Sequence, residues 1–156
     1  MIKILFVCLG NICRSPLAEA IFNKKVNSAG LSNKIISDSA GTGNYHVGKN
    51  PDPRSIDVAR KHKIPIHHKG RQITINDASA FDYLIAMDES NKRNIIHLMG
   101  QNPEGLLLMR DFDEVEKGGN VPDPYYGGQD GFENVYQILD HSLDNLLKFL
   151  IDKYKL

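Results

Sequence analysis

A cysteine and an arginine stand six residues apart near the start of the chain, in the stretch CLGNICRS of residues 8–15. A cysteine thiolate is a nucleophile, and a guanidinium can grip two oxygens of one phosphate. Gly10 and Asn11 are the residue types best able to take left-handed conformations, which lets a loop curl with its N–H groups pointing inward. Such a nest of amides at a helix start binds an anion and favours a thiolate. The pattern therefore predicts a phosphate cradle gripped by Arg14, with Cys8 at its floor in position to attack phosphorus.

The spacing of Cys8 and Arg14 leaves a second interpretation open. Cys8 could be a buried residue that ends a strand, and Arg14 could lie on the surface of a helix. Two other phosphate-binding motifs are excluded. The stretch has a single glycine, unlike a dinucleotide fingerprint, and it lacks the Gly-Lys-Ser/Thr ending of a Walker A loop.

Transfer of a phosphoryl group to a cysteine also needs an acid that protonates the leaving oxygen. The best candidate is Asp123 in the segment VPDPYYGG, where Pro122 and Pro124 stiffen the backbone and two tyrosines follow. The alternative interpretation of this segment is an Asp-Pro turn with exposed tyrosines.

The elements that must position these residues follow from the hydrophobic pattern. Ile2–Cys8 is a nearly continuous apolar run, typical of a central parallel strand that is buried on both faces. Ser15 suits the N-cap, and Pro16 the first position, of a helix that ends at Gly30. The other predicted elements are strands at Ile35–Ala40, Phe81–Met87 and Leu106–Met109, and helices at Ser55–Lys61, near Thr74, at Asp88–Met99 and at Phe132–Tyr154.

This alternation of strands and helices predicts an α/β fold. We expect a three-layer sandwich with a small, about four-stranded parallel sheet and a phosphate-binding loop after the first strand. Ligands in such folds bind at the carboxyl ends of the strands, which is where Cys8 lies. A single domain over residues 1–156 is expected from the length of the chain.

Composition and charge narrow the class of protein. The chain has 156 residues, and 19 basic residues balance 19 acidic ones, so no nucleic-acid surface and no polybasic membrane segment is expected. The first apolar run is too short to span a membrane or to form the core of a signal peptide. Two cysteines, Cys8 and Cys13, make neither a secreted disulfide framework nor a zinc site. We therefore expect a reduced, cytoplasmic protein, and we expect it to be a monomer.

The motifs resemble the low-molecular-weight protein tyrosine phosphatase family along almost the whole chain. The matching stretches are CLGNICRSPLAEA, SDSAGTGNY, PDPRS, RQIT, FDYLIAMDESN and DPYYG. The resemblance implies an enzyme that hydrolyses phosphotyrosine and small aryl phosphates through a cysteinyl-phosphate intermediate. By that resemblance Cys8 is the nucleophile, Arg14 clamps the phosphoryl oxygens, and Asp123 acts first as general acid and then as base.

The resemblance also implies roles for residues around the nucleophile. Asn11 holds the shape of the cradle, the hydroxyl of Ser15 keeps Cys8 ionised, and His68 supports Asn11, with His67 as the alternative. Asp88, which the sequence itself predicts as a helix cap, is expected near the cradle. The expected substrate-binding residues are Leu9, Gly10, Asn11, Ile12, Cys13 and Ser15 of the loop and Tyr45, Tyr125 and Tyr126 of an aromatic cleft, with His46, Asn50 and Asp52 at its rim.

No metal and no other cofactor is expected, because the amides of the loop and the guanidinium supply the electrostatic stabilisation. The expected partners are phosphotyrosine-containing proteins or peptides, with free phosphate and similar oxyanions as inhibitors. Cys13 is either a small buried packing residue or, as the resemblance favours, a partner that traps oxidised Cys8 as a reversible disulfide.

Three other functions compete with this one. Arginine phosphatases share the loop but typically carry threonine at the position of Ile12 and lack the double tyrosine. Arsenate reductases of this fold need further cysteines, which this chain does not have. A phospho-carrier or a simple phosphate-binding module would have no use for Asp123 as an acid, so tyrosine phosphatase activity is the favoured function.

Overall fold

The computed structural model describes residues 1–156, with the side chain of Gln129 excepted. Four strands alternate with five α-helices among these residues. The elements are β1 (Ile2–Cys8), α1 (Arg14–Ser28), β2 (Ile35–Gly41), α2 (Pro53–Lys61), α3 (Asp77–Ala80), β3 (Tyr83–Ala86), α4 (Glu89–Met99), β4 (Leu106–Leu108) and α5 (Gln129–Tyr154), with a 3₁₀ turn at Met109–Phe112.

The four strands form one parallel sheet in the order β2-β1-β3-β4. The chain steps from β1 to β2 on one side and then crosses to β3 and β4 on the other, so β1 is the strand at which the winding reverses. Ligands of open α/β sheets bind in the crevice at such a switch point. The predicted α/β fold with a small four-stranded parallel sheet is confirmed.

Both faces of the sheet are covered by helices. Ile4 and Phe6 of β1 point into a core shared with α1 and α5, whereas Leu5 and Val7 point into a second core that includes Ile95 of α4. Alternate residues of β1 are therefore buried on opposite faces, which explains its continuous apolar run. The helices make the outer two layers of the sandwich. Among the described residues, none of the helices combines the length and the apolar character that a membrane crossing needs.

The start of α1 differs from the prediction. The helix begins at Arg14 with Cys13 at the N-cap, so Ser15 lies inside the first turn and its predicted capping role is wrong. The Ser15 hydroxyl has other partners, because it lies 3.0 Å from Cys8 Sγ and accepts a hydrogen bond from the Asn11 amide at 2.9 Å. The first turn of α1 carries no side-chain cap, so its N–H groups stay available for an anion.

Two other helices also begin elsewhere than predicted. Helix α2 starts at Pro53 rather than at Ser55, because the carboxylate of Asp52 accepts the Arg54 N–H at 2.9 Å and caps the first turn. The helix predicted near Thr74 begins only at Asp77, as α3. The Thr74 N–H donates to the carboxylate of Asp77 at 2.8 Å, so Thr74 is a donor ahead of the helix and not its first residue.

Candidate active site

The loop between β1 and α1 curls around the sulfur of Cys8, which is almost fully buried. The N–H of Asn11 points at Cys8 Sγ from 3.3 Å, and this direction follows from a left-handed φ of 56° at Asn11. Gly10 does not take a positive φ, so that part of the prediction is wrong. A Cβ at Gly10 would lie 3.1 Å from the ring of His46, so the glycine gives this ring room to approach the loop.

Asn11 is buried, and its side chain ties the loop to the interior. Its amide nitrogen donates to Ser15 Oγ at 2.9 Å and to Ser39 Oγ at 3.0 Å. Its carbonyl oxygen accepts from the Arg71 N–H at 2.9 Å and lies 2.7 Å from His68 Nε2. Four partners satisfy the amide completely, and they hold a backbone conformation that a non-glycine residue rarely adopts.

The structure places His68, rather than His67, against Asn11. Behind this pair lies a half-buried polar cluster that the sequence did not reveal. Ser39 Oγ donates to Glu19 Oε1 at 2.7 Å, and His68 Nδ1 lies 3.3 Å from the same oxygen. Burial, followed by the nearby Asp38, raises the pKa of Glu19 to about 7. Burial also lowers the pKa of His68, so this part of the interior favours neutral side chains.

The same cluster has the ligand types of a cation site. Oxygens of Glu19 and Asp38 and a nitrogen of His68 lie within 4.8 Å of one another. Each of the two carboxylates already has a protein partner, because Ser39 donates to Glu19 and the guanidinium of Arg71 contacts Asp38 at 3.1 Å. We therefore assign the cluster to the support of Asn11.

Replacing Glu19 by glutamine is expected to change how stability depends on pH. The pKa of Glu19 in the folded protein, about 7, is above the 4.5 of an ordinary glutamate. The contribution of protonated Glu19 to the free energy of unfolding is therefore fully present below about pH 4.5 and is lost as the pH rises through about 7. At about 1.4 kcal/mol per pKa unit, ionisation of Glu19 costs the fold about 3 kcal/mol.

Urea unfolding at about pH 5 and about pH 8 measures this effect. Between these two values the parent should lose about 2.5 kcal/mol more of its free energy of unfolding than Glu19→Gln does, because a small part of the effect is already lost at about pH 5. An equal loss in both proteins would contradict the prediction.

Arg14 is buried at the other side of the cradle. Its Nη1 donates to Asp88 Oδ2 at 2.7 Å and to the Val121 carbonyl at 3.0 Å, and its Nη2 lies 3.6 Å from Asp123 Oδ2. Burial alone lowers the pKa of Arg14, but Cys8, Asp88 and Asp123 raise it, and the net pKa is above the ordinary value. One edge of the guanidinium is thus fixed by protein, and the other faces the cradle.

Asp88 joins the cradle to α4. Its Oδ1 accepts the Asn91 N–H at 2.7 Å, which makes Asp88 the N-cap of that helix as predicted, while its Oδ2 holds Arg14. Its position at the end of β3 explains this double role, because the carboxyl ends of neighbouring parallel strands meet at one edge of the sheet.

Asp123 lies at the edge of the cavity above Cys8. Its Oδ1 accepts the Tyr125 N–H at 3.0 Å, and its Oδ2 is the oxygen near Arg14. The rings of Tyr125 and Tyr126 meet edge to face with centroids 4.9 Å apart. The Tyr126 side chain is 93% exposed, so it can meet a large substrate but is not fixed by the protein interior.

The structure brings most of the predicted site residues to one cavity of about 400 Å³. The side chains of Asn11 and Ser15 point away from the cavity and contact each other. Asp88 contacts Arg14, and His68 contacts Asn11. Of the predicted rim residues only His46 lines the cavity. Asn50 accepts from Lys69 and Asp52 caps α2, so neither lies where the prediction placed it, and an influence on substrate choice stays a prediction. The lining residues are Cys8, Leu9, Gly10, Ile12, Cys13, Arg14, Tyr45, His46, Asp123, Tyr125 and Tyr126.

Comparison with known proteins decides the family of the chain. The family model described as low molecular weight phosphotyrosine protein phosphatase matches residues 3–155. The chain belongs to this family. A low molecular weight phosphotyrosine protein phosphatase from Schizosaccharomyces pombe is 47% identical over 152 residues, which cover 94% of this chain and 96% of that protein.

Solved structures of known proteins are also similar to the phosphatase. A protein tyrosine phosphatase from Entamoeba histolytica superposes with a TM-score of 0.93 at 39% identity, covering 100% of both chains. An arginine phosphatase from Drosophila superposes with a TM-score of 0.88 at 33% identity, covering 95% of this chain and 97% of that one. The fold is thus shared by phosphatases of two named specificities.

Proposed function

We propose that the phosphatase hydrolyses phosphotyrosine in proteins or peptides, as well as small aryl phosphates, through a phosphocysteine intermediate. One observation carries the proposal. The cavity has Cys8 and Arg14 at its floor, Asp123 at its edge, and rings of tyrosine along its wall. Aromatic walls reward an aryl ester over an alkyl one, because the ring of the substrate packs against them.

In the first step Cys8 Sγ attacks the phosphorus of the bound phosphomonoester. A bond forms between sulfur and phosphorus, and the bond between phosphorus and the tyrosine oxygen breaks. Asp123 donates a proton to the leaving oxygen, while Arg14 and the amides of the loop bind the phosphoryl oxygens. Ser15 Oγ, 3.0 Å from Sγ, stabilises the thiolate before the attack.

In the second step water hydrolyses the phosphocysteine. The Asp123 carboxylate accepts a proton from the water, the oxygen attacks phosphorus, and the sulfur–phosphorus bond breaks to release phosphate. Cys8 leaves as a thiolate, which the Ser15 hydroxyl and the Asn11 N–H stabilise again. The protein therefore supplies the nucleophile, the acid–base group and the positive electrostatic environment from its own residues.

Hydrolysis of phosphoarginine is the second candidate, and the likeness to the Drosophila arginine phosphatase favours it. Two features of the cavity favour an aryl ester instead. The apolar side chain of Ile12 lines the cavity where arginine phosphatases typically carry threonine, and the paired Tyr125 and Tyr126 form its wall.

Phosphate release from matched peptides tests the proposal. The peptides carry phosphotyrosine, phosphoarginine or phosphoserine at the same position, with dithiothreitol and EDTA present. We expect the highest kcat/KM on the phosphotyrosine peptide. Faster turnover of the phosphoarginine peptide would overturn the tyrosine assignment, and no turnover of any peptide would overturn the assignment as a phosphatase of such substrates.

Replacing Asp123 by asparagine is expected to lower kcat/KM on phenyl phosphate about 10²-fold, which is a typical loss for a general acid. The loss on 2,4-dinitrophenyl phosphate should be much smaller, because that leaving group departs without a proton. Initial rates on both esters measure the difference. Asp130→Asn is the matched control, since Asp130 is exposed at the start of α5 and does not line the cavity. An equal loss on the two esters would contradict the acid role of Asp123.

Trapping of oxidised Cys8 by Cys13 stays a prediction. Both cysteines are free and buried. Burial, followed by the charge of Asp52, raises the pKa of the Cys13 thiol, so Cys13 is a protonated, weakly nucleophilic thiol near neutral pH.

A further inference from the structure

We propose that Arg54 is a positioning residue for proton transfer, and that it acts by holding the backbone that orients Asp123. We call residues 121–128, which carry Asp123 between the end of the 3₁₀ region and α5, the acid loop. The inference rests on the proposed function, in which Asp123 moves the proton. It adds a residue that lies outside the cavity and outside the catalytic loop.

Arg54 reaches the acid loop from the first turn of α2. Its Nη2 donates to the Tyr125 carbonyl at 3.0 Å, and its Nη1 donates to the Gly127 carbonyl at 3.4 Å. The N–H of the same Tyr125 donates to Asp123 Oδ1 at 3.0 Å. Arg54 therefore holds the residue that in turn orients the carboxylate.

The acid loop has few other anchors. Val121 is tied down at its start, since its N–H donates to the Met87 carbonyl at 2.8 Å and its carbonyl accepts from Arg14. Gly128, at the end of the loop, accepts the Gly131 N–H at 3.0 Å. Between these two ends, within the part of the chain that the structure describes, the hydrogen bonds that join residues 122–127 to the rest of the protein all come from Arg54. The contact of Asp123 with Arg14, at 3.6 Å, is longer than a hydrogen bond. The position of Asp123 therefore depends on Arg54.

Arg54 is itself held rigidly. Its Nε and Nη2 donate to the two carboxylate oxygens of Asp52 at 3.0 and 2.9 Å, which is the two-pronged geometry that suits a guanidinium. The guanidinium also lies over the ring of Phe132, 4.6 Å from its centroid. Because both contacts hold the guanidinium in place, its hydrogen bonds to the acid loop also hold that loop in place.

The same helix start also holds the loop of the nucleophile. The Asp52 N–H donates to the Ile12 carbonyl at 2.8 Å, and Ser55 Oγ donates to the Cys13 carbonyl at 3.2 Å. One rigid turn of α2 thus contacts both the loop that carries Cys8 and the loop that carries Asp123. The pair of Asp52 and Arg54 therefore sets the separation between nucleophile and acid.

Proton transfer requires the acid within hydrogen-bond reach of the leaving oxygen, and misplacement by about 1 Å costs about 10²-fold in rate. Loss of Arg54 should therefore matter most where the acid is needed. We expect Arg54→Ala to lower kcat/KM on phenyl phosphate about tenfold or more, and on 2,4-dinitrophenyl phosphate less than about threefold.

Arg60→Ala is the matched control for this experiment. Arg60 is on the same helix, its side chain is 76% exposed, and its ion pair is with Asp57, so kcat/KM should be unchanged on both esters. Arg54→Lys keeps a positive charge but not the planar set of donors of a guanidinium. Its loss of kcat/KM should be smaller than that of Arg54→Ala and should again be greater on phenyl phosphate than on 2,4-dinitrophenyl phosphate. Assays run below the midpoint of thermal unfolding of each variant. An equal loss on the two esters in Arg54→Ala would assign Arg54 to general stability and overturn the proposal.

A double-mutant cycle separates this inference from the proposed function. In an Asp123→Asn background, Arg54→Ala should cause no further loss on phenyl phosphate, because the group that it positions is gone. A full additional loss would overturn the role of Arg54. If Asp123→Asn alone showed no preference between the esters, the acid assignment of Asp123 would fail first. If Asp123→Asn showed that preference and Arg54→Ala did not, only the positioning role would fail.

Discussion

Cys8→Ser is expected to lower kcat on a phosphotyrosine peptide by about 10⁴-fold or more, the scale of loss when a nucleophile is removed. The reason lies in the surroundings of the sulfur. Its described neighbours are the Ser15 hydroxyl at 3.0 Å and the Asn11 N–H at 3.3 Å. The hydroxyl and the N–H can each donate a hydrogen bond to the sulfur, but neither is a base that could activate a serine hydroxyl.

Binding should survive the same substitution. The amides of the loop and Arg14 do not depend on the sulfur, so isothermal titration of Cys8→Ser with the phosphotyrosine peptide should still show saturable binding. The matched measurement is the rate of phosphate release by the parent and the variant at saturating peptide. Retention of more than about a hundredth of the parent kcat would contradict the role of Cys8 as the nucleophile.

The nucleophile and its loop were predictable from sequence because their signals are local. A buried strand, a turn with Asn11, and a helix start with Arg14 occupy one continuous stretch, and each residue type has a direct physical reason to be there. The predicted strand Ile2–Cys8 matches the observed bounds. Ser15 shows the limit of this reasoning. A serine before a helix suits a cap, but in the structure its hydroxyl faces Cys8 instead.

The supports of the loop were harder to predict, because their partners are distant in sequence. Ser39 and His68 reach Asn11 from 28 and 57 residues away, and Arg54 reaches Tyr125 from 71 residues away. Ser39 lies in β2 and Arg54 in α2, whereas His68 lies outside the helices and strands. The direction of each of these side chains depends on how whole elements pack. The choice between His67 and His68 is an example, since adjacent residues differ only in which way the backbone turns them.

The two loops of the site differ in how firmly the protein holds them. The loop of Cys8 is fixed by the four partners of Asn11 and by the N-terminal end of α1. The acid loop is fixed at Val121 and then by Arg54. Its tyrosines are exposed at the rim. A cavity with a rigid floor and a less constrained wall suits a protein substrate, whose phosphate must be placed accurately while the surrounding peptide varies.

Arg14→Lys is expected to lower kcat about 10³-fold, because a guanidinium that stabilises phosphoryl transfer is typically worth that much or more. Arg14 uses one edge to hold Asp88 and the Val121 carbonyl, and in the proposed mechanism its other edge binds the phosphoryl group. An ammonium has no second edge. A lysine that keeps its bond to Asp88 therefore loses the bidentate contact with the phosphoryl group, and one that reaches the phosphate leaves Asp88 without its partner.

Arg110→Lys is the matched control for this substitution. Arg110 is also buried and donates to Asp113 at 2.7 Å, yet it does not line the cavity. Arg110→Lys should lower the free energy of unfolding about as much as Arg14→Lys does. Its kcat should stay within about threefold of the parent, because Arg110 makes no contact with the reacting group. Steady-state kinetics and urea unfolding of both variants separate the two effects. If Arg14→Lys lost no more activity than Arg110→Lys, Arg14 would be a structural ion-pair partner of Asp88, and the binding of the transferred phosphoryl group would have to be assigned to the backbone amides alone.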